Sequence, residues 1–207
     1  MLSSVVEAAE FSRPVGRPAN ASQAEVLAAA SRELLAGRRI EVRAIAAEFG
    51  VSRATIYRWF GSREGLLAEV STRNLVAMLE QADAEARGRG AERILNTLRL
   101  INKRLAASEA LRSFIKLEPA GLQILTSSSG QVQPRIVANL RAYLERVAAE
   151  DGYRSPVDTA TLAYAMVRLS EAFLYDDSVV GMQHEIDRLH DVHAALLGVA
   201  LSDSGSR

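Results

Sequence analysis

Apolar residues recur at intervals of three and four along almost the whole of this 207-residue chain, and sustained alternation of apolar with polar residues is absent. The first pattern keeps one face of a helix apolar, whereas a half-buried strand needs the second. No hairpin-type dipeptide joins two apolar runs either. An all-α fold is the class this leaves.

Local chemistry marks the helix ends. Ser22 and Glu25 have capping-box spacing, and Leu27, Ala30 and Leu34 follow at helical intervals to a stop near Gly37. Val42, Ile45, Ala46 and Phe49 form one stripe on a short helix that ends at Gly50. Ser52 is a good N-cap for a helix over 53–60, with Val51 and Ile56 at hydrophobic-staple spacing. Beyond Gly61, Ser62 can cap a longer helix that runs through Leu66, Val70 and Leu75 to the Gly88-Arg89-Gly90 break.

Further helices are expected near 91–106, 108–118, 133–151, 156–175 and 183–201. Pro119 closes the second of these, and Ser127 to Gly130 is a loop. Ser155-Pro156-Val157-Asp158 supplies a cap, a first-turn proline and an acidic N3 residue to the fourth. The expectation is about nine helices, three of them short and packed into the first 60 residues. The boundaries that follow are an arm over 1–20, a helix-turn-helix domain over 21–67, a regulatory and dimerisation body over 68–202 and a tail over 203–207.

Charge separates the two parts. Residues 11–63 hold nine arginines against four glutamates, so the remainder of a chain of zero net charge must be acidic. A basic head on an acidic body suits a polyanion-binding module attached to something with another task. The chain has no cysteine, which excludes disulfides and thiolate metal sites and fits a reducing cytoplasm. The opening MLSSVVEAAE has no basic n-region, and no stretch approaches the roughly 20 apolar residues that cross a bilayer. A cytoplasmic location and no membrane partner are therefore expected.

The sharpest signal is IAAEFGVSRATIYRWF over 45–60. Two short helices meet at Gly50-Val51-Ser52, and the second carries arginines, a threonine and aromatic residues within eight positions. Ile56 and Phe60 lie one turn apart and face the preceding helix, while Arg58 points about 200° from Ile56. A helix so held, with cationic and hydroxyl groups outward, has helix-turn-helix geometry and fits the DNA major groove. Arg63 falls in the first turn of the next helix, where a cation opposes the helix dipole, so a phosphate is a reason to keep it there. Trp59 lies about 60° from Ile56 and is read chiefly as a packing residue. The turn-rich Arg13-Pro14-Val15-Gly16-Arg17-Pro18 arm could enter a minor groove.

EVRAIAAEFGVSRATIYRWFGSREGLL, over 41–67, resembles the DNA-binding signature of TetR-family transcriptional regulators: an Ile-Ala pair, Gly-Val-Ser, a threonine, Tyr-x-x-Phe, then a basic residue followed by Glu-x-Leu. The departure is Glu41, where the family often places a capping Thr or Ser. The resemblance implies a dimeric repressor whose heads read a palindromic operator on double-stranded DNA and whose bodies bind a small-molecule inducer. Carried over position by position, Arg43 would reach a base or phosphate from the supporting helix. Arg53, Ala54, Thr55 and Arg58 would line the groove-facing surface, Tyr57 and Arg63 would bind phosphate, and Arg17 would act from the arm. The family's usual homodimer contact implies an interface through the last two helices. Here Leu162, Met166, Leu169 and Phe173 make one stripe and Ile186, Leu189, Leu196, Leu197 and Leu201 another, one buried within the monomer and one across the two-fold axis.

For the inducer, Phe114, Leu117, Tyr143, Tyr164, Arg168 and Glu171 are aromatic or polar groups on otherwise apolar body helices, suited to an amphipathic ligand such as an acyl chain or a lactone. Glu171-Ala172-Phe173-Leu174-Tyr175-Asp176-Asp177 also resembles the QsdR-like branch of the family, whose regulators control degradation of acyl-homoserine-lactone signals. The residues His184, His190 and His193 with Asp187 and Asp191 are read as a solvated helix face rather than a metal site, and no cofactor is expected. Two other readings remain open on the sequence: a helical small-molecule carrier or enzyme with a structural head, and an architectural DNA binder without a ligand. The first lacks any Ser-His-Asp, Cys-His, phosphate-loop or metal motif.

Overall fold

The computed structural model describes residues 22–118, 120–175 and 182–200, with 182–184 given by backbone alone. Ten α-helices follow one another: α1 Gln23–Leu35, α2 Val42–Glu48, α3 Arg53–Phe60, α4 Arg63–Glu85, α5 Ala91–Ala107, α6 Glu109–Leu117, α7 Gly121–Thr126, α8 Gln133–Asp151, α9 Thr159–Leu174 and α10 Met182–Leu197. No strand occurs among the described residues. Nor is any described helix long and apolar enough to cross a membrane.

Three of the expected caps close their helices. At α1 the Ser22 hydroxyl accepts from the Glu25 amide at 3.2 Å while the Glu25 carboxylate accepts from the Ser22 amide at 2.7 Å. Ser52 and Ser62 cap α3 and α4, but Glu41 gives α2 no side-chain cap. The start of α9, the end of α10 at Leu197 and one added helix differ from expectation. The cap of α9 is Asp158, whose carboxylate accepts from the Thr161 amide at 2.9 Å. The Ser155 hydroxyl donates instead to the Val157 carbonyl, so the helix starts later than expected. The helix not expected from sequence, α7, has only six residues, too few to show a period. Pro119, the arm with Arg17 and Leu201 lie outside the described residues.

Helices α1, α2 and α3 converge on Val26, Ala30, Ile45 and Ile56, and the first turns of α4 add Leu66 and Leu67. The same cluster continues without a break into Phe114, Leu125 and Val132 of the body. The expected division between 67 and 68 thus falls inside α4, whose 23 residues run from head to body as one rod. A second cluster joins Ile94 and Leu98 on α5, Leu140 and Leu144 on α8, Leu162 and Met166 on α9 and Ala194 on α10.

That second core takes up part of both apolar stripes of the last two helices. Leu162 and Met166 are buried within the chain, and so are Ile186, Leu189 and Leu197. The inner part of each stripe packs on α5 and α8, whereas Leu169, Phe173 and Leu196 stay half-buried. What α9 and α10 expose includes Tyr164 and Val192. The histidine face differs from expectation: His193 is only 1% exposed, held with the Met166 carbonyl as hydrogen-bond partner. Burial lowers its pKa to about 4. His184 has no described side-chain surroundings.

At the far end of α4 an ion network ties three helices. Both oxygens of Asp83 accept from Arg93 at 2.7 Å, and Arg146 and the Tyr143 hydroxyl add bonds at 2.9 and 3.0 Å. Chiefly the Arg93 bonds hold the Asp83 carboxyl down at about 2.

Candidate nucleic-acid interface and internal cavity

The α2–α3 corner is set by three residues. Gly50 sits at φ +63°, the left-handed region where a Cβ clashes with its own backbone. The Val51 amide then donates to the Ala46 carbonyl at 3.0 Å, closing the end of α2. Ser52 caps α3 through the Thr55 amide at 3.0 Å, and its hydroxyl lies 3.0 Å from that of Thr55. Fully buried Ile56 seats α3 on the core. Trp59 and Phe60 are half-buried and meet edge to face at 6.5 Å, so Trp59 is a packing residue.

Outward, α3 exposes Arg53, Ala54, Tyr57 and Arg58, with Thr55 half-buried at the edge. Arg53 with Tyr57 and Ala54 with Arg58 are i, i+4 pairs, so the four form two parallel rows on one solvent face. Arg43, at the start of α2, is exposed as well.

Pairing separates the head's arginines into two groups. Arg32 pairs with Glu48 at 3.0 Å, Arg38 with Glu33 at 2.8 Å, and Arg39 with Glu41 and Glu118 at 3.5 and 3.3 Å. Arg43, Arg53 and Arg58 have no carboxylate partner among the described residues. The cations left without an internal counter-charge are those on the helix-turn-helix surface. An unpaired cluster of this kind holds exchangeable counterions, which a polyanion displaces with a gain in free energy.

Arg63 belongs to the other group. Its guanidinium grips both carboxylate oxygens of Glu118, Nη1 at 3.1 Å, and Nε donates to the Ile40 carbonyl at 3.3 Å. Glu118 caps the C-terminus of α6 and is only 5% exposed. The reason for a cation in the first turn of α4 is therefore internal, a fork of bonds to a buried carboxylate that also raises the arginine's pKa. Sequence spacing offers no sign of this pair, whose members lie 55 positions apart.

A cavity of about 200 Å³ lies between α1, α4, α5, α6, α7, α8 and α9. Leu34 and Leu35 bring the head's first helix to its wall, and Leu75, Leu98, Ile101 and Phe114 are among its apolar lining. Of the six expected ligand residues, Phe114 and Glu171 line it and four do not. Leu117 and Tyr164 are each 48% exposed on outer faces. Tyr143 is buried in the ion network, where its hydroxyl donates to Thr97 or Asp83 at 2.8 and 3.0 Å. Arg168 stays outside, bonding the Thr126 carbonyl at 2.9 Å and Glu171 at 2.7 Å.

Among the described residues Glu171 is the one carboxylate on the wall, and burial pushes its pKa up against the bonds from Gln133 and Arg168. Tyr175 closes one side with a hydroxyl whose pKa burial also raises. Sequence reasoning missed Thr72 and Asn74 on α4. Both line the cavity, and both carry a buried polar atom with no partner among the described residues. A short polar residue on a long amphipathic helix reads as surface until the neighbours are known.

Residues 27–70 match the family described as bacterial regulatory proteins, tetR family, and residues 89–198 match the tetracyclin repressor-like C-terminal domain. Among solved structures the chain is similar to the TetR-family transcriptional repressor QsdR of R. erythropolis, with 25% identity over 88% of this chain and 97% of that one and a TM-score of 0.76. It shares its fold with the TetR-family repressor AlkX of Dietzia sp. strain DQ12-45-1b, implicated in biodegradation of n-alkanes, at 17% identity over 87% and 98% of the two chains and a TM-score of 0.61. FadR of Bacillus subtilis, solved with stearoyl-CoA, has the same fold at 13% identity over 86% and 100% and a TM-score of 0.50. No curated protein matches the chain.

Proposed function

The chain belongs to the TetR family of bacterial regulatory proteins, and on that premise we propose that it is a dimeric, cytoplasmic repressor released from a palindromic operator by a small amphipathic ligand. Family membership makes it a DNA-binding regulator and sets the enzyme reading aside. The likeness to the repressor QsdR supports repression as the output, and an acyl or lactone inducer linked to signal degradation is the effector class we carry over from the QsdR-like sequence resemblance.

One observation carries the DNA reading: the arginines of the described head that have no counter-charge, Arg43, Arg53 and Arg58, lie together on α2 and α3. In this reading α3 enters the major groove with Arg53, Ala54, Thr55 and Arg58 toward base edges. The hydroxyl of Tyr57 meets phosphate, and Arg43 reaches a base or phosphate from α2. Arg63 adds to the contacts only if it leaves Glu118, and Arg17 adds to them from the arm. The exposed faces of α9 and α10, with Tyr164 and Val192, form the two-fold contact.

The test is a selection of bound sequences from random duplex DNA, followed by titration at several salt concentrations. Arg43→Ala and Arg58→Ala are expected to relax preference at particular base pairs, at about 1–3 kcal/mol each. Arg38→Ala, at an exposed head arginine already paired with Glu33, is the control and is expected to bind almost as wild type. Equal losses in all three variants, or no selected palindrome, would overturn the reading.

A further inference from the structure

We propose that the cavity is built for an uncharged, medium-length alkyl compound carrying carbonyl-type acceptors: an ester, ketone, amide or lactone rather than a fatty-acid anion, an acyl-CoA or an alkylamine. This rests on the reading of the cavity as the effector site and names the class of ligand it takes.

The wall decides the charge. Among the described residues no lysine, arginine or histidine lines it, and its ionisable groups are Glu171 and the Tyr175 phenol. A carboxylate or phosphate moved there from water would meet no cation and one carboxylate, so its desolvation would go uncompensated. An ammonium would have to displace Arg168, which already holds Glu171 at 2.7 Å. Either charge is costly in such a wall, and an uncharged chain is favoured by the apolar surface of Leu75, Leu98 and Ile101.

The polar handles decide the rest. Thr72 Oγ1 and Asn74 Nδ2 are buried without partners among the described residues, while Asn74 Oδ1 is already engaged by the Ser31 hydroxyl at 2.7 Å. At 100° per residue the two side chains lie about 160° apart around α4, on opposite flanks of the face that Leu75 centres. The unmet demand of the amide nitrogen is for an acceptor, and the hydroxyl can donate to one as well. A compound with oxygen acceptors separated by part of its length meets both. Because Asn74 is bonded to Ser31 on α1, an acceptor at Nδ2 would sit two bonds' reach from the DNA-binding head. The volume, about 200 Å³, has room for on the order of ten heavy atoms.

The experiment is calorimetric titration of the full chain with methyl octanoate, octanoate and octylamine, with operator binding followed in parallel. Methyl octanoate is expected to bind, and the two ions at least roughly 30-fold more weakly. The single ester group of methyl octanoate reaches one flank at a time, so one of Thr72→Val and Asn74→Leu should weaken it by about fivefold or more. Ile101→Trp or Ser170→Leu, filling different walls, should abolish binding in whichever variant keeps a cooperative thermal transition. Octanoate binding as tightly as the ester, or ester affinity unchanged in the cavity variants, overturns the proposal. No binding of any octyl compound by a protein that still holds its operator overturns this inference and leaves the DNA reading intact. Ester binding that leaves operator affinity unchanged upholds the ligand class and removes the effector role.

Discussion

Arg63, in the first turn of the long helix that leaves the head, closes both its terminal nitrogens on the carboxylate of Glu118, which ends α6 in the body. Glu118 is 5% exposed, so removing its main partner leaves a buried charge with only Arg39, 3.3 Å away. A fully orphaned buried carboxylate costs about 3–5 kcal/mol, and the residual arginine should hold Arg63→Ala to about 2 kcal/mol. A double-mutant cycle with Glu118→Gln in urea unfolding is expected to return a coupling of about 1–3 kcal/mol. Glu118→Gln should also free positive charge on the head and raise affinity for nonspecific duplex DNA at low salt several-fold. Unchanged affinity in that variant would remove Arg63 from the DNA surface altogether.

Two glycines in the head test strain against crowding. A Cβ at Gly65 would stand 1.9 Å from the Phe60 carbonyl oxygen, where the backbone itself must move. A Cβ at Gly50 meets nothing within 4 Å, but its φ of +63° is strained for any L side chain. Gly65→Ala is therefore expected to cost about 3 kcal/mol and to disturb the α3–α4 turn, with loss of operator binding. Gly50→Ala should cost about 1–2 kcal/mol and keep binding at reduced stability. Urea midpoints and electrophoretic mobility of the complex distinguish the two.

How far the sequence reaches depends on the range of the interaction. Caps, staples and helix periods act within four or five residues, and Ser22, Ser52, Ser62, Val51 and Ile56 do what their spacing announces. The outward ridge of α3 is legible for the same reason. The ion pair of Arg63 is not legible because its partner is 55 residues away, nor is the cavity, because its wall draws on seven helices whose packing no local pattern encodes. Tyr143 and Glu171 look alike in sequence, each a polar group on an apolar helix. Only tertiary neighbours send one to an ion network and the other to a cavity.

Tyr143→Phe turns that distinction into a measurement. The hydroxyl is buried and bonds Thr97 at 2.8 Å and Asp83 at 3.0 Å, so its removal leaves the buried Thr97 hydroxyl one partner poorer. The expected loss of stability is about 1–2 kcal/mol. Affinity for a cavity ligand should not change, because Tyr143 is not on the wall. A variant of normal stability and weakened ligand binding would return Tyr143 to the effector site.

Acid should weaken the fold in two separate steps. His193 is buried and its pKa falls from an ordinary 6.5 to about 4. Above pH 6.5 neither the folded nor the unfolded chain protonates it, and it has no effect. Between 6.5 and 4 the unfolded chain takes up a proton that the folded one refuses, so stability declines by at most about 3 kcal/mol. Asp83 acts lower down: its folded pKa of about 2 lies below the ordinary 3.8, and the stability it contributes is present above 3.8 and lost as pH falls toward 2. Glu171, whose pKa burial raises, works in the opposite sense, gaining a proton on folding as pH falls. The difference between wild type and His193→Gln cancels that contribution and isolates the histidine. Urea midpoints taken from pH 7.5 to 4.5 should therefore fall more steeply for the wild type than for the variant, and parallel curves would mean that His193 takes its proton inside the fold.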